Sequence, residues 1–184
     1  ASVVKYLRIF KIEEAYGFNR STRKTFFTDR IKAFILGAAF GAGIVTGLLW
    51  LYETYAAEFI LYAFIMIFAF SLLVNLFYTR LILPLFNKLT PLEDGDLKNK
   101  IHALAEREGY GVRAIKVMDA SKRSSKLNAF FSGFGRLKTV VLFDTLIEAM
   151  DDESILAVLA HEIGHAKHKD ILKNLFIQSG SVLL

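Results

Sequence analysis

From residue 33 to residue 79 the chain carries no lysine or arginine, and its only charged side chains there are Glu53 and Glu58. No other feature limits the fold so strongly. A bilayer core of ~30 Å is crossed by ~20 apolar helical residues. The window therefore holds two spans, roughly 31–52 and 57–76, joined by a short link at Glu53, Thr54 and Tyr55. Basic residues crowd both outer flanks: Arg20, Arg23, Lys24, Arg30 and Lys32 before, Arg80 and Lys88 after. The link has none. The positive-inside rule then places both flanks in the cytoplasm and the link on the far side. The competing reading is a buried helical hairpin of a soluble protein. A cleaved signal peptide is a poor fit, because the apolar stretch is too long and too far from the start. Within the first span, Gly37/Gly41 and Gly43/Gly47 fall at the small-xxx-small spacing that lets helices approach closely in lipid. The second span runs on toward Leu83, where Pro84 is expected to end or bend it.

Composition supports a membrane chain. Hydrophobic residues make up 54%, and mean hydropathy is +0.39. The net charge of +5 would suit nucleic acid on a soluble domain, but here the cations flank apolar runs, so the partner is the lipid bilayer and not nucleic acid. The chain has no cysteine, which excludes disulfides and thiolate metal sites. Any metal must take histidine or carboxylate ligands.

Residues 1–29 form a charged, aromatic-containing segment at the membrane surface or in a cytosolic loop. After Pro91 the composition turns soluble. Residues 96–108 read as an amphipathic helix with Leu97, Ile101 and Leu104 on one face and Gly109 as its stop. Residues 115–118 suggest a strand. Residues 127–131 and 138–143 suggest a hairpin around Gly133, Phe134 and Gly135. Between the first strand and the hairpin, residues 121–126 form a basic loop that is solvated by default, or touches anionic lipid or substrate. Residues 144–150 make one or two helical turns. Asp151, Asp152 and Glu153 then cap a longer helix reaching about Lys169. Residues 171–184 are apolar again and read as the start of a further span.

Three of the chain's four histidines, His161, His165 and His168, lie on that last helix. His161 and His165 are four apart, on one face, so both imidazoles can reach one ion. Glu162 projects beside that ion and can take a proton from a water whose pKa zinc lowers to about 7. It can then pass the proton to a leaving amine. The apolar run 155–160 would bury the helix, and Gly164 would allow close approach. The bland alternative is an amphipathic helix that carries these letters by chance. His168 stands about two turns from His161, too far along the axis for one compact tetrahedral site, and reads as a residue behind the ligands or on the surface. Asp170 can orient a ligand imidazole, although its helical angle does not favour this. A catalytic zinc takes three protein ligands plus water. Two are present, so one Zn²⁺ per chain is expected, with its third ligand beyond residue 184. Asn128, taken alone, reads as a turn residue.

Several segments together resemble the type I CAAX prenyl proteases, integral-membrane zinc endopeptidases. They are E-E-A-Y-G-F-N (residues 13–19), P-L-F-N-K-L-T-P-L (84–92), S-K-R-S-S-K-L-N-A-F-F (121–131), V-V-L-F-D-T-L (140–146) and L-A-V-L-A-H-E-I-G-H (156–165). The last is common to many zinc peptidases, and the first four are more specific. The resemblance implies zinc on His161 and His165, Glu162 as base, and a third ligand, a Glu, on a later helix. It also implies that Asn128, Ala129 and Phe130 belong to a strand that holds the substrate backbone. An edge strand suits that role, because its free N–H and C=O groups pair with a peptide.

The expected fold is a mainly α multi-pass membrane protein with a small α+β zincin-like domain, and the resemblance implies that the membrane helices of the complete protein enclose a chamber. Its parts are a surface segment (1–29), two transmembrane helices (30–84), a metallopeptidase domain (85–170) and the start of another span (171–184). The catalytic domain faces the cytoplasm from a bacterial inner membrane or the eukaryotic endoplasmic reticulum. The resemblance implies a peptide substrate, prenylated or not, cut near its C-terminus. Two alternatives are a quality-control protease for membrane proteins and a non-catalytic membrane scaffold or chaperone. The intact Glu162 speaks against the last. The 184-residue chain by itself should be inactive.

Overall fold

The computed structural model describes residues 2–133 and 138–167, together with residue 177. The N-terminal segment is helical: α1 (Ser2–Leu7) continues into a π-helical turn at Arg8–Glu13. Its aromatic side chains dock on the following helix, with Tyr6 and Phe10 edge-on to Phe26 at 5.5 and 5.7 Å between ring centroids.

Helix α2 (Arg23–Thr54) starts ahead of the apolar run because Thr22 caps it, its hydroxyl accepting the Thr25 N–H at 3.1 Å. It ends where the Tyr55 N–H reaches the Leu51 carbonyl at 2.8 Å. Helix α3 (Phe59–Phe77) follows, so the link is residues 55–58, slightly later than expected. A π-helical turn (Tyr78–Ile82) leads into α4 (Leu83–Phe86). The helix departs from α geometry directly ahead of Pro84 and ends two residues after it, in keeping with the bend or stop expected of this proline.

Both Arg23–Thr54 and Phe59–Phe86 are long and apolar enough to cross a membrane. A soluble hairpin core would bury its large side chains. Here Phe34 is 76% exposed and Ile60 69%, leaving apolar surface that water would oppose. Trp50, Tyr52, Tyr55, Phe59 and Tyr62 cluster at the hairpin tip, with Tyr55 and Tyr62 centroids 4.8 Å apart. Such rings favour the headgroup level. At the opposite end the Lys32 ammonium donates to the Leu85 carbonyl at 2.8 Å, tying the two helices on the basic side. The close approach expected of the glycines occurs at Gly47, where a Cβ would lie 2.9 Å from Met66 Sδ. Gly37, Gly41 and Gly43 face open space among the described residues.

The remainder is an α/β domain: β1 (Leu89–Pro91), α5 (Asp96–Arg107), β2 (Ala114–Met118), a 3₁₀ turn (Ala120–Lys122), β3 (Ala129–Ser132), β4 (Thr139–Phe143), α6 (Asp144–Ala149) and α7 (Asp152–Lys167). The sheet order is β1-β2-β4-β3, with β2 and β4 parallel and the outer pairs antiparallel. The expected strands and helices are present, β3 being displaced by a residue or two from residues 127–131. Strand β1 was not expected, since three residues ending in proline carry little strand signal. Proline is tolerated there because β1 is an edge.

Strand β4 is covered on both faces, which is why it reads as the continuous apolar run V-V-L-F. Val140 and Leu142 join Ile101, Ile115, Leu146, Ile155, Leu159 and Ile163 in the main core. Val141 faces the other way, with Leu83, Met118 and Ala120. The last turn of the membrane hairpin thus packs on one face of the sheet and α7 on the other. The residues expected to start a third span lie outside the described residues, apart from residue 177.

Candidate metal and peptide site

Helix α7 is fixed at its start by two sets of polar contacts. Asp151 accepts the Ser154 N–H at 2.8 Å, and the Ser154 hydroxyl and N–H together hold its carboxyl below the usual carboxylate range. Lys100 on α5 donates to Asp152 at 2.9 Å and lies 3.6 Å from Glu153; the bond to Asp152 raises its pKa. Farther along, Ile155, Leu159 and Ile163, spaced by one turn, are buried against the sheet. Each fully buried side chain of this size contributes roughly 1.5–3 kcal/mol.

This stripe sets the exposure of the motif. His161 is exposed, Glu162 half-buried and Ile163 buried. Glu162 follows the fully buried Leu159 by three residues, so it stands at the margin of the sheet-facing stripe. His161 and His165 occupy one continuous helix, one turn apart. Two imidazoles in that relation are a donor set suited to Zn²⁺. Among the described residues, no group of three or more His, Asp or Glu gathers to hold a metal. His168 and Asp170 lie outside the described residues. Among the described residues nothing lies within 4 Å of a Cβ built on Gly164.

The strand packed beneath α7 is β3, at the edge of the sheet. Ala129 is buried in the main core, and Phe131 packs against the same cluster, its ring edge-on to Tyr110 at 5.0 Å. Phe130 points to the opposite face, beside Leu83 and Val141. Its side chain is therefore on the face of the sheet away from α7. Asn128 precedes the strand and is exposed. Its carbonyl accepts the Phe143 N–H at 3.1 Å, and its side-chain oxygen accepts the Ala129 N–H at 2.9 Å. These bonds make it the hinge into β3 and more than a simple turn residue.

The basic loop is exposed at Lys122 and Lys126, as expected of a solvated loop, and departs from that expectation at Arg123. Arg123 is not solvated. Its guanidinium reaches Asp29 of α2 and Asn87 beyond α4, while the neighbouring backbone pairs with residues 18–20. A cation between a lysine and a serine carries no sign of partners so distant in sequence.

An apolar helical hairpin of membrane-spanning length is joined to a mixed-sheet α/β domain that carries a His-Glu-x-x-His helix. Two family descriptions match along the chain: CAAX prenyl protease N-terminal, five membrane helices, over residues 3–88, and peptidase family M48 over residues 91–184. The chain belongs to peptidase family M48. CAAX prenyl protease 1 of Saccharomyces cerevisiae is 41% identical over 170 residues, covering 92% of this chain and 38% of its own length. The Arabidopsis thaliana homolog is 40% identical over 159 residues, with 86% and 38% covered. The crystal structure of S. mikatae Ste24p superposes with a TM-score of 0.89 at 40% identity, covering 97% of this chain and 43% of that one. The chain thus spans about two fifths of the length of these relatives.

Proposed function

We propose that this chain is part of a zinc-dependent membrane endopeptidase that cuts near the C-terminus of prenylated, CAAX-type proteins. The observation that carries the reading is the packing of α7, with Glu162 at the margin of its buried face, against the edge strand β3. A proton acceptor beside a backbone edge able to take a peptide as an added strand is what this reaction would need. The names of the relatives support the substrate class.

In this reading His161 and His165 hold one Zn²⁺, and a carboxylate C-terminal to residue 184 completes the set. When bound, zinc supplies a Lewis acid for the scissile carbonyl and a site for water. Glu162 accepts a proton from the attacking water and delivers it to the amine nitrogen as the C–N bond breaks. The outer edge of β3, from Asn128 through Phe130, aligns the peptide backbone. Residues 1–29 lie at the membrane surface or in the cytosol, 30–84 cross the bilayer, and 85–170 form the zincin-like domain on the cytoplasmic side. In the complete protein the spans enclose a chamber, in the endoplasmic reticulum or a bacterial inner membrane.

The test uses the complete protein in liposomes with a farnesylated peptide ending in a CAAX sequence, its products read by mass spectrometry. Cleavage near the C-terminus that a chelator abolishes and Zn²⁺ restores is expected. Chelator-insensitive cleavage, or none, contradicts the proposal.

A further inference from the structure

The segment that leads into β3 is held from three directions at Arg123. Its guanidinium forks onto one carboxylate, with Nε donating to Asp29 Oδ2 at 2.9 Å and Nη2 to Asp29 Oδ1 at 3.2 Å. Nη1 donates to Asn87 Oδ1 at 3.0 Å, and Nη2 also donates to the Phe86 carbonyl. Asp29 lies near the basic end of α2, and Phe86 closes α4. One planar side chain therefore joins both membrane helices at the same end, a geometry that a lysine, a single-point donor, cannot reproduce.

The backbone on either side fastens the N-terminal segment. The Arg123 carbonyl accepts the Arg20 N–H at 3.1 Å, and Asn19 bridges to Ser124. The Ser125 N–H donates to the Phe18 carbonyl at 3.1 Å, its hydroxyl reaches the Gly17 carbonyl at 3.2 Å, and Lys126 pairs with Glu13 at 2.6 Å. Asn128 and β3 follow at once. The path from membrane helix to edge strand is short, and cross-linked along its length.

We propose that Arg123 is a positioning residue, which sets the height of the β3 edge above the membrane so that a bilayer-tethered peptide presents one particular bond to Glu162. This rests on the reading of β3 as the peptide-binding strand. A register slip of one residue moves a strand by ~3.3 Å. A peptide free in solution can re-seat itself after such a shift, whereas a peptide tethered in lipid cannot.

The experiment compares wild type, Arg123→Gln and Asp29→Asn of the complete protein in liposomes, using one peptide sequence with and without its lipid. The expected result is that kcat/KM falls about tenfold further for the lipidated peptide than for the free one, since small misplacements are costly in a positioned reaction. An equal fall for both peptides, or no change, overturns the proposal. A second measurement does not depend on turnover. Spin labels at Thr28 and Leu127 should give a narrow distance distribution in wild type and a broadened one in Arg123→Gln. An unchanged distribution overturns the proposal whatever the activity. If wild type cleaves neither peptide, the peptidase reading fails, and the distances still decide whether Arg123 positions the strand.

Discussion

Asp144, the first residue of α6, accepts the Ser121 N–H at 2.8 Å and is also bonded by the Ser121 hydroxyl, fastening the end of β4 to the loop that leads into β3. Burial alone would raise this carboxyl. The donors from Ser121, Thr145 and Ala120 outweigh it and hold the pKa below the ordinary range. A carboxyl depressed on folding contributes stability above its unfolded pKa of about 3.9, and that stability is lost as pH falls through the folded value. Asp144→Asn should therefore be less stable than wild type near neutrality, with the difference closing as pH drops below about 4. Thermal unfolding across pH checks this. A difference that persists undiminished into the acid range would show that the contacts do not depend on charge.

Leu159 is fully buried between α7 and the sheet. Leu159→Ala should destabilise the α/β domain by about 2–5 kcal/mol, the range for a core leucine whose cavity does not collapse. Chemical denaturation followed by tryptophan-independent circular dichroism would read it. A loss below about 0.5 kcal/mol would mean that α7 is not seated as described.

Gly17 has φ +73° and offers its carbonyl to Ser125. An alanine there meets no neighbouring atom, so its cost is purely conformational, about 1–2 kcal/mol. Gly17→Ala should lower the melting temperature while leaving zinc content unchanged. Gly17→Asn should cost less, because asparagine tolerates the left-handed region better.

The 184-residue chain alone should bind zinc weakly and show no peptide cleavage, because the proposal draws only two of the three protein ligands of a catalytic site, His161 and His165, from these residues. Metal analysis after dialysis is the check. Stoichiometric, tightly held zinc would place the third ligand within this chain.

The parts legible in the sequence were those whose physics is local. Charge-free runs between basic flanks gave α2 and α3, since a span needs only length and apolarity. The motif helix was legible from Asp151 onward, because its cap, first-turn acids and buried stripe are all written within one element. The parallel pairing of β2 with β4 was not, as nothing in either strand names its partner. The face of Phe130 was equally hidden, because strand alternation becomes readable only once the register is known. Arg123 was misread for the same reason: its partners Asn87 and Asp29 lie 36 and 94 residues away, and a fold must bring them together before the charge acquires a role.

The central claim is that Glu162 moves the proton in peptide hydrolysis. The direct measurement is Glu162→Gln in the complete protein, assayed for cleavage of a CAAX peptide and for bound zinc. Turnover should fall by about 10²–10⁴-fold, the contribution of a positioned acid–base group, while zinc content stays at the wild-type level. Retained turnover with zinc bound would contradict the account.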